Sequence, residues 1–135
     1  ERLTRLQPGD SHLPEKCAHL AAAAWSGPPS TGWRPVAPPG ARPLALFDPE
    51  PIRLTRPARP PEAFVWRRGE RRVRDALGPE RIAPEWWLDD PAWRGGPRDY
   101  WRIETETGER LWIFEERGGA APGGLGAWFL HGVFA

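Results

Sequence analysis

"RDYWRIETETGERLWIFEER", residues 98–117, places two extended runs on either side of Thr107-Gly108. With a side-chain period of two, Trp101, Ile103 and Thr105 face one way, while Tyr100, Arg102, Glu104 and Glu106 face the other. After the glycine both faces become apolar, Leu111 and Ile113 on one, Trp112 and Phe114 on the other. A strand with two apolar faces must be central in a sheet or covered on both sides. The stretch predicts an antiparallel hairpin whose second strand is sandwiched.

The same reading extends in both directions. Upstream, "AFVWRRGERRVRDAL", residues 63–77, predicts a second hairpin turning at Arg68-Gly69-Glu70. Before it, "LALFDPEPIRLTRPARPPEAF" predicts short extended pieces at 44–47 and 51–55, broken by prolines as edge strands often are. Downstream, "GGAAPGGLG" at 118–126 is a loop, and "AWFLHGVFA" is a final strand. That strand sets Trp128, Leu130 and Phe134 against Phe129, His131 and Val133. It is hydrophobic enough to require burial in the domain or on another protein. Five or six short strands with glycine turns, and no long amphipathic helix, predict an all-β fold. Its form is a small antiparallel barrel or a strongly bent sheet.

The N-terminal part reads differently. Residues 1–24 are the end of a preceding region with a short helix, in which Ser11 or His12 leads into "LPEKCAHLAAAA" and Pro14 suits the first turn. Residues 25–43, "WSGPPSTGWRPVAPPGARP", have the composition of an extended Pro/Gly-rich linker, leaving 44–135 as the β domain. The chain opens at Glu1 and its 135 residues contain no methionine, so it is expected to be a piece of a longer protein. No run approaches the roughly 18 apolar residues of a membrane span, and no signal peptide opens the chain. A lone cysteine, Cys17, excludes an internal disulfide and favours a reducing, cytoplasmic setting.

Net charge is only +1, but it is unevenly spread. Eight arginines between Arg53 and Arg74 face only Glu62 and Glu70, whereas six acids between Asp99 and Glu116 face only Arg102 and Arg110. The two halves are expected to carry opposite fields. Arg67, Arg68, Arg71, Arg72 and Arg74, beside Phe64 and Trp66, combine cations with stacking surfaces and form a candidate single-stranded DNA contact. A solvated basic face explains the same residues, and the acidic hairpin would repel phosphate.

No catalytic constellation emerges. His12, Cys17 and His19 match no paired-ligand spacing and lack a fourth ligand, so no metal site or cofactor is expected. Ser11-His12 and Cys17-His19 come without a nucleophile elbow, and Asp89-Asp90 and Glu115-Glu116 come without a base or phosphate loop beside them. Tryptophan, by contrast, is abundant: nine residues in a chain with one tyrosine. Trp101, Trp112 and Trp128 lie on strands and are read as core. Trp86, Trp87 and Trp93 lie in the connection between the hairpins, where Ile82 and one of the Trp86-Trp87 pair pin the crossover. With Tyr100, Phe129 and His131 they are the candidate partner-binding residues, aromatic rings being enriched in binding hot spots.

"SHLPEK", "RPLALFDPEPIRL", "FVWRRGERRV", "GPERIAPEWW", "RDYWRIE" and "WFLHGVFA", in that order along nearly the whole chain, resemble the C-terminal region of ImuB-type proteins. These are DNA polymerase Y family-like members of bacterial SOS mutagenesis cassettes. The resemblance implies a non-catalytic adaptor in translesion synthesis and DNA repair. It also implies partners: an ImuA-like RecA-related protein, an error-prone DnaE-type polymerase and, through the parent protein, the sliding clamp. "RPLALF" has only a loose likeness to a clamp-binding peptide, since Arg42 stands where a glutamine belongs. Leu44, Leu46 and Phe47 are therefore read as strand-edge packing.

Overall fold

The computed structural model describes residues 3–9, 11–25, 42–85, 87, 90–118 and 126–134. Among these are eight strands: β1 (Thr4–Pro8), β2 (Ala18–Ala22), β3 (Ala45–Leu54), β4 (Ala63–Trp66), β5 (Gly69–Ile82), β6 (Arg98–Thr105), β7 (Arg110–Glu116) and β8 (Trp128–Val133). β1 and β2 form a separate two-stranded ribbon. The other six follow one another in sequence order as an antiparallel meander, and β8 pairs back onto β3 to close a barrel. Closure removes most of the free edge that a small open sheet would expose, the part of β3 before Arg53 having no partner on its β4 side among the described residues.

The alternation in 98–117 is realised across β6 and β7. Tyr100 stands opposite Phe114, Trp101 opposite Ile113 and Ile103 opposite Leu111. Trp101, Ile103, Leu111 and Ile113 point into the barrel, where they meet Ile52, Phe64, Trp66, Trp128 and Leu130. The opposite face of the same strands buries Tyr100, Trp112 and Phe114 in an outer layer with Ile82, Phe129 and Phe134 packed against it. Each fully buried ring or branched aliphatic side chain contributes on the order of 2 kcal/mol, so β7 is anchored from both sides.

Several expectations are corrected. The short helix predicted over 13–24 reduces to two 3₁₀ turns, Pro14–Lys16 and Ala23–Trp25, and Ala18–Ala22 between them run as β2. Alanine's helix preference is a fraction of a kcal/mol per residue; pairing with β1 and burial of Leu13 override it. The first hairpin turns at Arg67-Arg68, both with positive φ, and Gly69 already begins β5. The extended pieces at 44–47 and 51–55 merge into one strand, β3, whose register against β8 skips Phe47, Asp48 and Pro49. In β8 the residue after Leu130 is a bulge: Leu130 pairs with Ile113 and Gly132 with Trp112. A bulge reverses the alternation beyond it. Val133 consequently packs on the barrel core and Phe134 on the outer layer, the reverse of the sequence pattern.

Gly132 has a second role. A Cβ there would lie 2.6 Å from the Pro43 ring and 2.8 Å from the Ala45 carbonyl oxygen, so the start of β3 crosses directly over it.

Candidate functional site

The outer layer is the part of the molecule where polar chemistry is concentrated. β6 projects Arg98 and Tyr100 outward, β8 projects His131, and the segment 11–16 closes over them. Arg98 Nη1 donates to Glu15 Oε1 at 3.1 Å and to the Tyr100 hydroxyl at 3.2 Å. The Tyr100 hydroxyl lies 2.9 Å from His131 Nδ1, and His131 Nε2 lies 3.4 Å from Glu15 Oε2. With Arg98 donating to the phenol oxygen, the phenol proton goes to Nδ1, which leaves the imidazole neutral with its proton on Nε2. Burial depresses His131 to about 4, against the opposing pull of Glu15, and burial likewise pushes the Tyr100 phenol well above its ordinary value. These directions keep both groups uncharged at neutral pH.

Aromatic rings enclose this circuit. Tyr100 stacks on Trp112 at 4.0 Å, Trp112 on His131 at 5.6 Å, and Phe114 on Phe129 at 5.2 Å. The Arg98 guanidinium stands 4.6 Å from the Phe114 centroid and 5.3 Å from that of Trp93. Trp93 is placed by a 3₁₀ turn, Pro91–Trp93, whose cap Asp90 accepts from the Ala92 amide and pairs with Lys16. Glu85 ties the covering segment down: it accepts from the His12 amide at 2.8 Å, the Ser11 hydroxyl at 3.2 Å and the Trp93 indole at 3.4 Å. Burial works against its charge, but these three donors outweigh it and hold the carboxyl below its usual range.

The structure therefore gathers Trp93, Tyr100, Phe129 and His131 in one place, as an internal layer. Tyr100 and His131 are 1% and 0% exposed, Trp93 is buried and Phe129 half-buried. Trp87 is 57% exposed and meets His12 edge-on at 5.9 Å. Trp86 lies outside the described residues.

Four of the five arginines of the first hairpin are ion-paired, three of them with acids that sequence spacing could not align. Arg67 forms a two-bond pair with Glu50, Arg71 pairs with Glu109 at 3.3 Å, Arg72 with Glu70 at 3.5 Å and Arg74 with Glu104. Arg68 alone of the five has no ion pair among the described residues. Phe64 is fully buried and Trp66 nearly so, with the Arg67 and Arg71 guanidiniums 4.6 and 5.1 Å from its ring. Neither ring offers a face to a base. At the opposite end of β6 and β7, the register partners Asp99 and Glu115 are held by Arg81 and Arg59 respectively, Glu115 being 1% exposed. The opposite fields expected from the sequence largely cancel across the strands.

What remains open on the surface is apolar. Five of the seven exposed large apolar side chains among the described residues are leucines between 3 and 46: Leu3, Leu6, Leu20, Leu44 and Leu46. Leu44, read as packing, is 79% exposed. No group of metal-ligating side chains occurs among the described residues, and none of their helices is long and apolar enough to cross a membrane.

A filled, closed meander with an aromatic outer layer and largely self-paired charges defines a small antiparallel β domain. Residues 39–135 match the family model described as "Domain of unknown function (DUF6504)", and the chain belongs to that family. It is also similar to "Protein ImuB" from two strains of Caulobacter vibrioides, NA1000 / CB15N and ATCC 19089 / CB 15. Each is 40% identical over 98% of this chain, and the chain spans about 30% of the length of either relative. No solved structure matches it.

Proposed function

We propose that this chain is a non-catalytic protein-docking module of an ImuB-type adaptor in SOS mutagenesis, acting in the cytoplasm. In this reading it helps to bring an error-prone DnaE-type polymerase and an ImuA-like partner to DNA held by the sliding clamp. Similarity to Protein ImuB over 98% of the chain supports the mutagenesis setting. The observation that carries docking is the distribution of surface chemistry: four of the five arginines of the first hairpin are ion-paired and most described rings are buried, while leucines stand in solvent. Exposed apolar groups clustered on one part of a small domain are a common mark of protein contact.

The test is a pull-down of the 135-residue chain against the ImuA-like protein and the DnaE-type polymerase separately. Retention of at least one is expected, with little dependence on salt. Retention of neither overturns the reading. Steeply salt-dependent binding to single-stranded DNA that is lost on charge reversal at Arg68 and Arg72 would transfer the function to nucleic acid.

A further inference from the structure

Three of the exposed leucines, Leu6, Leu44 and Leu46, line a groove with an unpaired strand beside it. Leu6 and Leu20 are register partners on the β1–β2 ribbon, so their side chains share a face, and Leu6 lines a groove of about 470 Å³ with Leu44 and Leu46 on its other wall. Pro14 and Phe47 also line this groove. β4 pairs with β3 only at Arg53 and Leu54. From Ala45 to Glu50, the side of β3 away from β8 therefore has no strand beside it among the described residues. Asp48 lies in the groove lining and makes no ion pair among the described residues.

These features select one kind of occupant. An unpaired strand edge offers main-chain donors and acceptors, and side-chain pockets at alternate positions supply selectivity. The acidic wall disfavours phosphate, which argues against nucleic acid or anionic lipid. We infer that the groove receives an extended segment of a protein partner, added as a strand along Leu44–Asp48. Alternate apolar side chains of that segment lie between Leu44 and Leu46 on one side and Leu6 and Leu20 on the other, and a basic residue meets Asp48. This rests on the docking reading and gives it a surface and a mode of recognition.

The probe is a synthetic nine-residue peptide alternating leucine with threonine and lysine, titrated into the full chain by calorimetry, with amide exchange followed at residues 44–48. A second peptide carries N-methyl groups on alternate amides, which block one strand edge. Saturable binding is expected, together with slowed exchange at Leu44–Asp48. Affinity should fall at least about tenfold with the methylated peptide and with a Leu20→Glu/Leu44→Glu variant. Near-ultraviolet circular dichroism of the buried tryptophans checks that the variant is folded. Equal affinity for wild type and variant, or no binding by wild type, overturns the inference. So does a concentration-dependent dimer abolished by Leu20→Glu, which would assign the groove to a second copy. If the peptide binds as expected while neither mutagenesis protein is retained, the groove stands and the proposed setting fails.

Discussion

Both faces of the β6–β7 hairpin bury apolar side chains, and they are differently built. The inward face, Trp101, Ile103, Leu111 and Ile113, is covered by the barrel's own strands and holds no charge at its centre. The outward face carries Arg98 and Tyr100, with His131 of β8 beside them, among aromatic rings, and the 11–16 segment, pinned through Glu15, Glu85 and Asp90, closes over them. Apolar packing is non-directional and tolerates any cover of the right shape. A buried guanidinium requires a particular one. The inner face accordingly stabilises the barrel, whereas the outer face selects which segment lies on it.

The largest effect should come from the inner face. Ile113→Ala, at a fully buried site, is expected to destabilise by about 2–5 kcal/mol in urea unfolding, through lost transfer free energy and a residual cavity. Glu15→Ala should follow closely, at about 3 kcal/mol, because it leaves the buried Arg98 without its carboxylate. Combining it with Arg98→Met should recover much of that loss, and a double-mutant cycle measures the coupling. An inner-face double variant such as Ile113→Ala with Leu130→Ala has no such recovery to offer. Tyr100→Phe should remove about 1–2 kcal/mol, by leaving His131 Nδ1 without its donor.

The outer face should also respond to pH, which the inner face cannot. His131 titrates near 4 in the folded chain, below its ordinary value of about 6.5 in the unfolded one. Between these values the unfolded state binds the extra proton. This contribution is therefore fully present above about pH 6.5 and is lost as pH falls toward 4. Glu15, Arg98, Tyr100 and Asp48 surround the imidazole, and carboxylates elsewhere lose stability in the same direction. The difference in stability between wild type and His131→Phe, followed across this range, isolates the histidine; a difference independent of pH would contradict its burial as the neutral form. The smallest effect belongs to the exposed Arg72–Glu70 pair, where Arg72→Ala should change stability by less than about 0.5 kcal/mol.

How much of this was legible depends on whether a feature is local. The inward and outward sets of β6 and β7 follow from a period of two and needed no partner to be read. The β8 bulge at His131-Gly132 did, since only the register against Trp112 and Ile113 reveals it; this is why Val133 and Phe134 exchanged faces. Trp93, Tyr100, Phe129 and His131 lie together in the outer layer, but the cover over Arg98 and His131 comes from a segment some 70 residues away in sequence from its anchor Glu85. That segment was itself read as helix, because alanine content speaks before tertiary contacts do. The arginines of the first hairpin read as a solvated basic face with a single-stranded DNA contact as the alternative, and the matches of Arg71 to Glu109 and Arg74 to Glu104 could not be read from spacing.

The pairing of β8 with β3 has a consequence for synthesis. As the nascent chain leaves the ribosome, β3 to β7 can pair with their neighbours in order, but the ring stays open until Trp128–Val133 emerges. Until then one side of β7 and one side of β3 stand without a partner, and the interior rings are incompletely covered. A message truncated before the codon for Trp128 would yield a polypeptide with two sticky edges, a substrate for proteases rather than a shorter working domain.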